Sequence, residues 1–132
     1  MNARGWVIAG SILGFLSVAG GAFGAHALKA RLEPAMLEVF QTGIRYGMVH
    51  SLALVLVGLL AARAPSKACS VAGGGFLVGS ILFTGSLCVL ALTGVKKLGA
   101  VTPFGGLAFL VGWIALALAA RKLPLNTEGE NP

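Results

Sequence analysis

Four stretches of this sequence contain no Asp, Glu, Lys or Arg: residues 5–28, 46–62, 68–95 and 98–120, with lengths of 24, 17, 28 and 23. A helix needs about 20 consecutive apolar residues, with a range of about 17–25, to cross the hydrocarbon of a bilayer. The first, third and fourth runs satisfy that outright. The second is short, but Gly43 and Ile44 extend it past Arg45, whose long side chain can reach back to the headgroups. The reading is an all-α, integral membrane four-helix bundle with spans at about residues 5–27, 42–62, 70–93 and 103–121.

Composition closes off the soluble alternative. Charged residues make up 11% of the 132-residue chain, against about 25% in soluble domains, too few to coat a water-exposed surface of this size. Lipid requires no such coat. The net charge of +6 is carried in ones and twos between the apolar runs, as Arg4, Lys29 with Arg31, Arg45, Arg63 with Lys67, Lys96 with Lys97, and Arg121 with Lys122. Loops beside headgroups look like that. A nucleic-acid binder gathers its basic residues on one face, so no nucleic-acid partner is expected; the bilayer itself is.

Punctuation between the runs fixes the connections. Glu33-Pro34 and Thr102-Pro103 read as helix starts, Thr102 as an N-cap with proline in the first turn. Pro65 falls in the tight link Arg63–Lys67 and makes an antiparallel hairpin of spans two and three. Ala25-His26-Ala27 resembles a small-residue cleavage site, but the apolar run Trp6–Phe23 exceeds a signal core of about 7–15 residues, so the first helix is read as retained. Residues 1–122 are expected to form one transmembrane domain. The polar stretch Leu123–Pro132 is expected to be a disordered tail. Cys69 and Cys88 lie 19 residues apart, roughly 28 Å along one helix, and cannot pair.

Lipid tails are as apolar as leucine, so helices associate in a membrane through close backbone approach and interhelical hydrogen bonds. The first span carries Gly10, Gly14, Ser17, Gly21 and Gly24, a seam of small residues spaced 4, 3, 4, 3 along one face. Gly43 with Gly47 and Gly75 with Gly79 repeat the motif in spans two and three. The seam predicts tight packing, within the bundle or between copies of the chain. Gly58 lies off it.

Polar residues concentrate at the start of the second helix: Glu38, Gln41, Thr42, Arg45, Tyr46 and His50. Glu38, Gln41, Thr42 and Arg45 share one helical face, and a Glu38–Arg45 bridge over two turns calls for Gln41 or Thr42 as an intermediary. His26 ends the first span one loop away. His26, Lys29, Thr42, Arg45, Tyr46, His50 and Ser86 are therefore the candidate site, expected to meet near one membrane face, with span three contributing Ser86 or Thr93. As a structural clasp such a group binds the segment down. As a functional site it opens to water. Two facing histidines could also ligate a metal or haem, but no CxxC, CxxCH or acidic ligand set accompanies them. No metal, cofactor or catalytic residue is expected.

Taken together in order, several strings resemble a known family. They are Gly21-Ala22-Phe23-Gly24-Ala25-His26-Ala27-Leu28-Lys29, Phe40-Gln41-Thr42-Gly43-Ile44-Arg45-Tyr46-Gly47-Met48-Val49-His50, Leu82-Phe83-Thr84-Gly85-Ser86-Leu87, and Leu98-Gly99-Ala100-Val101-Thr102-Pro103-Phe104-Gly105-Gly106 followed by Gly112-Trp113. The chain from about Gly5 to Arg121 resembles the YgdD/YwdK family of small bacterial membrane proteins, the domain-of-unknown-function 423 group; small eukaryotic transmembrane proteins are similar. The resemblance implies a four-span, multi-pass protein of the bacterial inner membrane and no known activity. His26, Lys29, Thr42, Tyr46, His50, Ser86, Thr102 and Pro103 match the family's polar pattern. Cys88 departs from it, standing where relatives often carry Tyr.

Three functions compete on these grounds. The first is a non-enzymatic accessory or structural protein that packs with a membrane-protein partner or as a homo-oligomer. The second is an oligomeric carrier or channel for a small solute, ion or lipid. The third is a membrane enzyme using His26 and His50. Basic residues divide five to five between the two faces. The flanks of span one favour Lys29 and Arg31 in the cytoplasm, with both termini outside.

Overall fold

The computed structural model describes residues 1–124. The expected tail from Leu125 onward lies outside the described residues. Four helical segments are long and apolar enough to cross a membrane: Ala3–Leu28, Pro34–Arg63, Lys67–Thr93 and Lys96–Ala120. The first is helix α1 (Ala3–Phe23) continued by a π-helical turn, Gly24–Leu28. The second is α2 (Pro34–Arg63), with Pro34 in its first turn. The third is α3 (Lys67–Gly79), a π-helical segment Ser80–Gly85, and α4 (Ser86–Thr93). The fourth is a 3-10 turn, Lys96–Ala100, followed by α5 (Thr102–Ala120). The second helix begins well before residue 42 because its first two turns are amphipathic and reach beyond the apolar span.

Caps explain the helix ends. Asn2 accepts the Gly5 amide at 2.9 Å and Ser66 the Cys69 amide at 3.2 Å, each satisfying an amide that the first turn leaves free. Gly94 closes α4 at φ 72°, its N–H bonded to the Leu90 carbonyl at 2.8 Å; glycine alone reaches that left-handed cap without strain. Thr102 does not act as the expected N-cap. It lies inside the first turn of α5, behind Val101, and its hydroxyl pairs with the Ser86 hydroxyl at 2.7 Å. That bond ties span three to the start of span four.

Packing follows the small residues. Helix α1 lies along α2, α2 lies along the third span, and α5 lies along the other side of the third span, while the backbones of α2 and α5 stay mostly apart. The small-residue seam of α1 faces α2 within the chain. A Cβ on Gly10 would lie 2.6 Å from the Ser51 carbonyl oxygen, and one on Gly24 2.9 Å from the Phe40 ring. Gly14 meets the Ser51 hydroxyl and Gly21 the Ile44 side chain at looser distances. Gly75 and Gly79 face α5, at Ala108 with Gly112 and at Phe109 with Gly105. Gly43 faces the third span at Leu87, and Gly47 sits between Ser17 of α1 and Thr84 of the third span. Gly58 is no bystander: a Cβ there would lie 2.8 Å from the Ala3 carbonyl oxygen, so α2 presses on α1 at that end too.

Between these contacts sit the buried residues Trp6, Leu54, Val57, Cys69, Ala72, Phe76, Phe109 and Ala115. A smaller group, Leu28, Phe40 and Ala91, lies toward the other face. Both cysteines are free.

Gly74 and Gly75 offer a matched test. A Cβ on Gly75 would sit 2.7 Å from the Ala108 carbonyl oxygen and 2.9 Å from the Gly112 Cα, whereas one on Gly74 would meet nothing within 4 Å. Gly75→Ala should destabilise by about 1–3 kcal/mol through overpacking. Gly74→Ala should stabilise by up to about 1 kcal/mol through helix propensity. Thermal unfolding in mild detergent compares them; equal melting temperatures would show that α3 and α5 do not meet at Gly75.

Candidate functional site: an aromatic floor under a lateral groove

The separation of α2 from α5 leaves a groove of about 880 Å³ that opens sideways. Its walls are Val49 on α2 and Leu107 and Leu110 on α5, its floor His50, Phe83, Phe109 and Trp113, and its ends carry Arg45 and Pro103. Apart from Arg45, His50, Tyr46 and the Trp113 N–H, this lining is apolar.

His50 is 4% exposed. Its ring stacks on Phe109 with centroids 3.4 Å apart and planes 7° from parallel. Tyr46, one turn earlier on α2, covers it at 6.0 Å and packs on Phe83 at 4.4 Å. Phe76 and Trp113 meet edge to face at 5.0 Å. Six rings from three spans thus form one contiguous stack.

Hydrogen bonds fix the histidine's state. Trp113 Nε1–H donates to His50 Nε2 at 3.2 Å. Indole is only ever a donor, so Nε2 is the acceptor and the proton resides on Nδ1. Nδ1 lies 2.7 Å from the Tyr46 carbonyl oxygen and donates to it. Both nitrogens of a neutral ring are therefore satisfied, which is how a histidine is tolerated inside hydrocarbon.

The remaining expected site residues divide into separate groups. Arg45 Nη2 bonds Glu38 Oε1 directly at 2.6 Å and Thr42 Oγ1 at 3.1 Å. No intermediary is required for the two-turn bridge, because the extended arginine spans it alone. The pair is exposed, at 60% and 64%. Ser86 is buried and pairs with Thr102. Thr93 bonds its own helix at Val89. His26 and Lys29 are exposed at and just beyond the π-helical turn, and His26 is not among the residues ringing His50. The single polar group of His26, Arg45, Tyr46 and His50 is thus not formed: Tyr46 and His50 meet, Arg45 stands at the groove's end, and His26 lies outside it. Among the described residues no three His, Cys, Asp or Glu side chains converge to hold a metal.

Sequence reasoning missed Phe76, Phe83, Phe109 and Trp113. Their spacings, seven residues in span three and four in span four, place each pair on one helical face and carried that signal. A second groove, of about 560 Å³, lies between α1 and the third span and is lined by Leu13, Ser17, Leu77 and Thr84 among others. Thr84 Oγ1, in the π-helical segment, is buried without a partner among the described residues.

Trp113→Phe should leave His50 Nε2 an unpaired buried acceptor and cost about 1–3 kcal/mol. The double variant Trp113→Phe with His50→Phe removes both polar partners and keeps a ring on Phe109, so it should recover most of that loss in a detergent melt. A double variant less stable than Trp113→Phe would show that the pair is not coupled.

Comparison with known proteins agrees with this architecture. The family described as "Protein of unknown function (DUF423)" matches residues 20–106. The "UPF0382 membrane protein YwdK" of Bacillus subtilis is 43% identical over 119 residues, covering 89% of this chain and 96% of the relative. A "UPF0382 membrane protein" of Haemophilus influenzae is 40% identical over 112 residues, covering 85% and 90%, and one of Staphylococcus haemolyticus is 38% identical over 117 residues, covering 89% and 95%. No solved structure matches. With similarity of this extent to proteins named only as membrane proteins, the chain belongs to the DUF423 (UPF0382) family of membrane proteins of unknown function.

Proposed function

We propose that this protein is a non-enzymatic membrane accessory whose groove between α2 and α5 holds one acyl chain of a lipid-like guest taken sideways from the bilayer. One observation carries the reading: the groove is apolar, opens laterally, and ends on the His50–Trp113 floor. Its length favours a chain over a partner helix. From Pro103 to Trp113 is ten residues of helix, roughly 15 Å, half of a hydrocarbon core of about 30 Å. An acyl chain occupies one leaflet; a partner helix needs a trough through both. The enzyme reading loses its geometry, since His26 stands apart from His50 and both His50 nitrogens are already engaged.

The reading treats residues 1–122 as one functional unit in the bacterial inner membrane, with Lys29, Arg31 and Arg45 on the cytoplasmic side and both termini outside. A C-terminal reporter that works only in the cytoplasm should stay silent; a signal would reverse the orientation.

Photoreactive acyl chains test the groove. Labelling should concentrate on Val49, Leu107 and Leu110. Gly106→Phe, whose side chain fills the groove from a position where a Cβ meets only the Phe83 ring at 3.9 Å, should abolish the excess and leave labelling of Phe15 and Val18 on α1 unchanged. Even labelling of every lipid-facing residue, or capture of a protein helix at Leu107, would replace this reading.

A further inference from the structure

Apolar lining alone cannot select a guest in a membrane, because the groove and the surrounding tails are equally apolar. Whatever discriminates must be polar and must lie at an end of the groove. The inner end offers nothing free: the Trp113 N–H is spent on His50, and both His50 nitrogens are engaged. The outer end carries Arg45, the one charged residue of the lining, beside Tyr46.

We infer that the guest is an anionic lipid whose phosphate is held by Arg45 while one of its acyl chains fills the groove down to Trp113. This rests on the acyl-chain reading above and names the headgroup class it leaves open. Guanidinium offers five N–H donors in a planar fork. Here one nitrogen, Nη2, makes both protein bonds, to Glu38 at 2.6 Å and Thr42 at 3.1 Å; Nε and Nη1 make none among the described residues. The N–H groups left on Nη1 and Nε point to different sides of the guanidinium, and each can give a phosphate oxygen one charge-assisted bond. The bonds to Glu38 and Thr42 anchor the long side chain to its own helix, so less rotamer freedom is lost when a phosphate arrives. Glu38 also sets the strength of the site. Its carboxylate, paired with Arg45 at the exposed end, cancels part of the positive field and keeps an anion exchangeable.

The distances agree with a lipid. Arg45 lies five residues before His50 on α2, about 7 Å along the axis, and Pro103 lies level with the groove's outer end on α5. A phosphate at Arg45 therefore stands at the interface with its chain running inward past Val49, Leu107 and Leu110 toward mid-membrane.

Tryptophan fluorescence provides the test. Only Trp6 and Trp113 are present; Trp6 is packed against Gly73, and a Trp113→Phe protein supplies its contribution for subtraction. The full chain is reconstituted in phosphatidylcholine vesicles. A small, varied fraction of the lipid is replaced by phosphatidylglycerol or phosphatidylcholine brominated along the acyl chain. Brominated phosphatidylglycerol should quench Trp113 at lower mole fraction than brominated phosphatidylcholine, by less than the about fivefold of an unpaired interfacial arginine, because Glu38 offsets part of the charge. Arg45→Gln should remove the preference and Glu38→Gln should enlarge it. Equal quenching by the two lipids, or a preference that survives Arg45→Gln, would overturn the headgroup assignment. The acyl-chain reading survives that result if Gly106→Phe still removes a saturable component common to both lipids. If no saturable component exists in the parent protein, the groove reading itself falls, and this inference with it.

Discussion

In hydrocarbon no water competes for a backbone amide or carbonyl, so each must find its partner within the chain. All else in this molecule depends on that requirement. It forces the four apolar runs into helices, and it removes the usual force that would gather them, since lipid solvates leucine as well as leucine does. What remains is van der Waals contact at close range and a few hydrogen bonds. The glycines supply the first. Gly10 and Gly58 draw α1 onto α2, and Gly75 and Gly79 draw α5 onto the third span. Bonds such as Ser86 to Thr102 and Trp113 to His50 supply the second.

The same distribution of small residues creates the groove. Close contacts are provided between neighbours in the row, α1 with α2, α2 with the third span, and the third span with α5. Between α2 and α5 the facing positions carry Tyr46, Val49, His50, Leu110 and Trp113 instead. Large side chains hold two helices apart while their partners on the third span pull both inward. An aromatic stack then fills the inner part of the gap and leaves the lipid-facing part open. Gly106 is the one glycine of the lining, and it widens the groove because no small residue of α2 packs against it.

Much of this was legible in the sequence. Charge-free runs set the four spans, and the 4, 3, 4, 3 spacing of small residues marked the face of α1 that meets α2. Helical phase also put Tyr46 and His50 on neighbouring turns of α2. Partnerships between helices were not legible. Phase states which residues share a face, but not which other helix that face meets. Hence His50 was assigned to His26, across a short loop, when its partner Trp113 lies 63 residues away. Thr102 was assigned to its own helix cap, when Ser86 lay opposite it. Gly58 looked like a bystander because it lies off the α1 seam, on another helix, yet the Ala3 carbonyl oxygen lies against it. In each case a local rule, loop proximity, capping or seam membership, competed with a tertiary contact, and the tertiary contact won.

The His50–Trp113 pair shows how far satisfying a polar group can go without creating chemistry. A histidine at membrane depth is a functional candidate by default, and a catalytic one needs a ring nitrogen free to take or give a proton. Here the backbone carbonyl of Tyr46 holds one nitrogen and an obligate donor holds the other. Protonating Nε2 would set N–H against N–H and forfeit the bond from Trp113. That geometry keeps the ring neutral and fixed. Its contribution is shape: a flat, stacked surface, polar only where it is already satisfied, at the bottom of an otherwise apolar groove. An apolar guest can lie on such a floor without stranding a hydrogen bond, whereas water brought to it would find both His50 nitrogens and the Trp113 N–H already bonded.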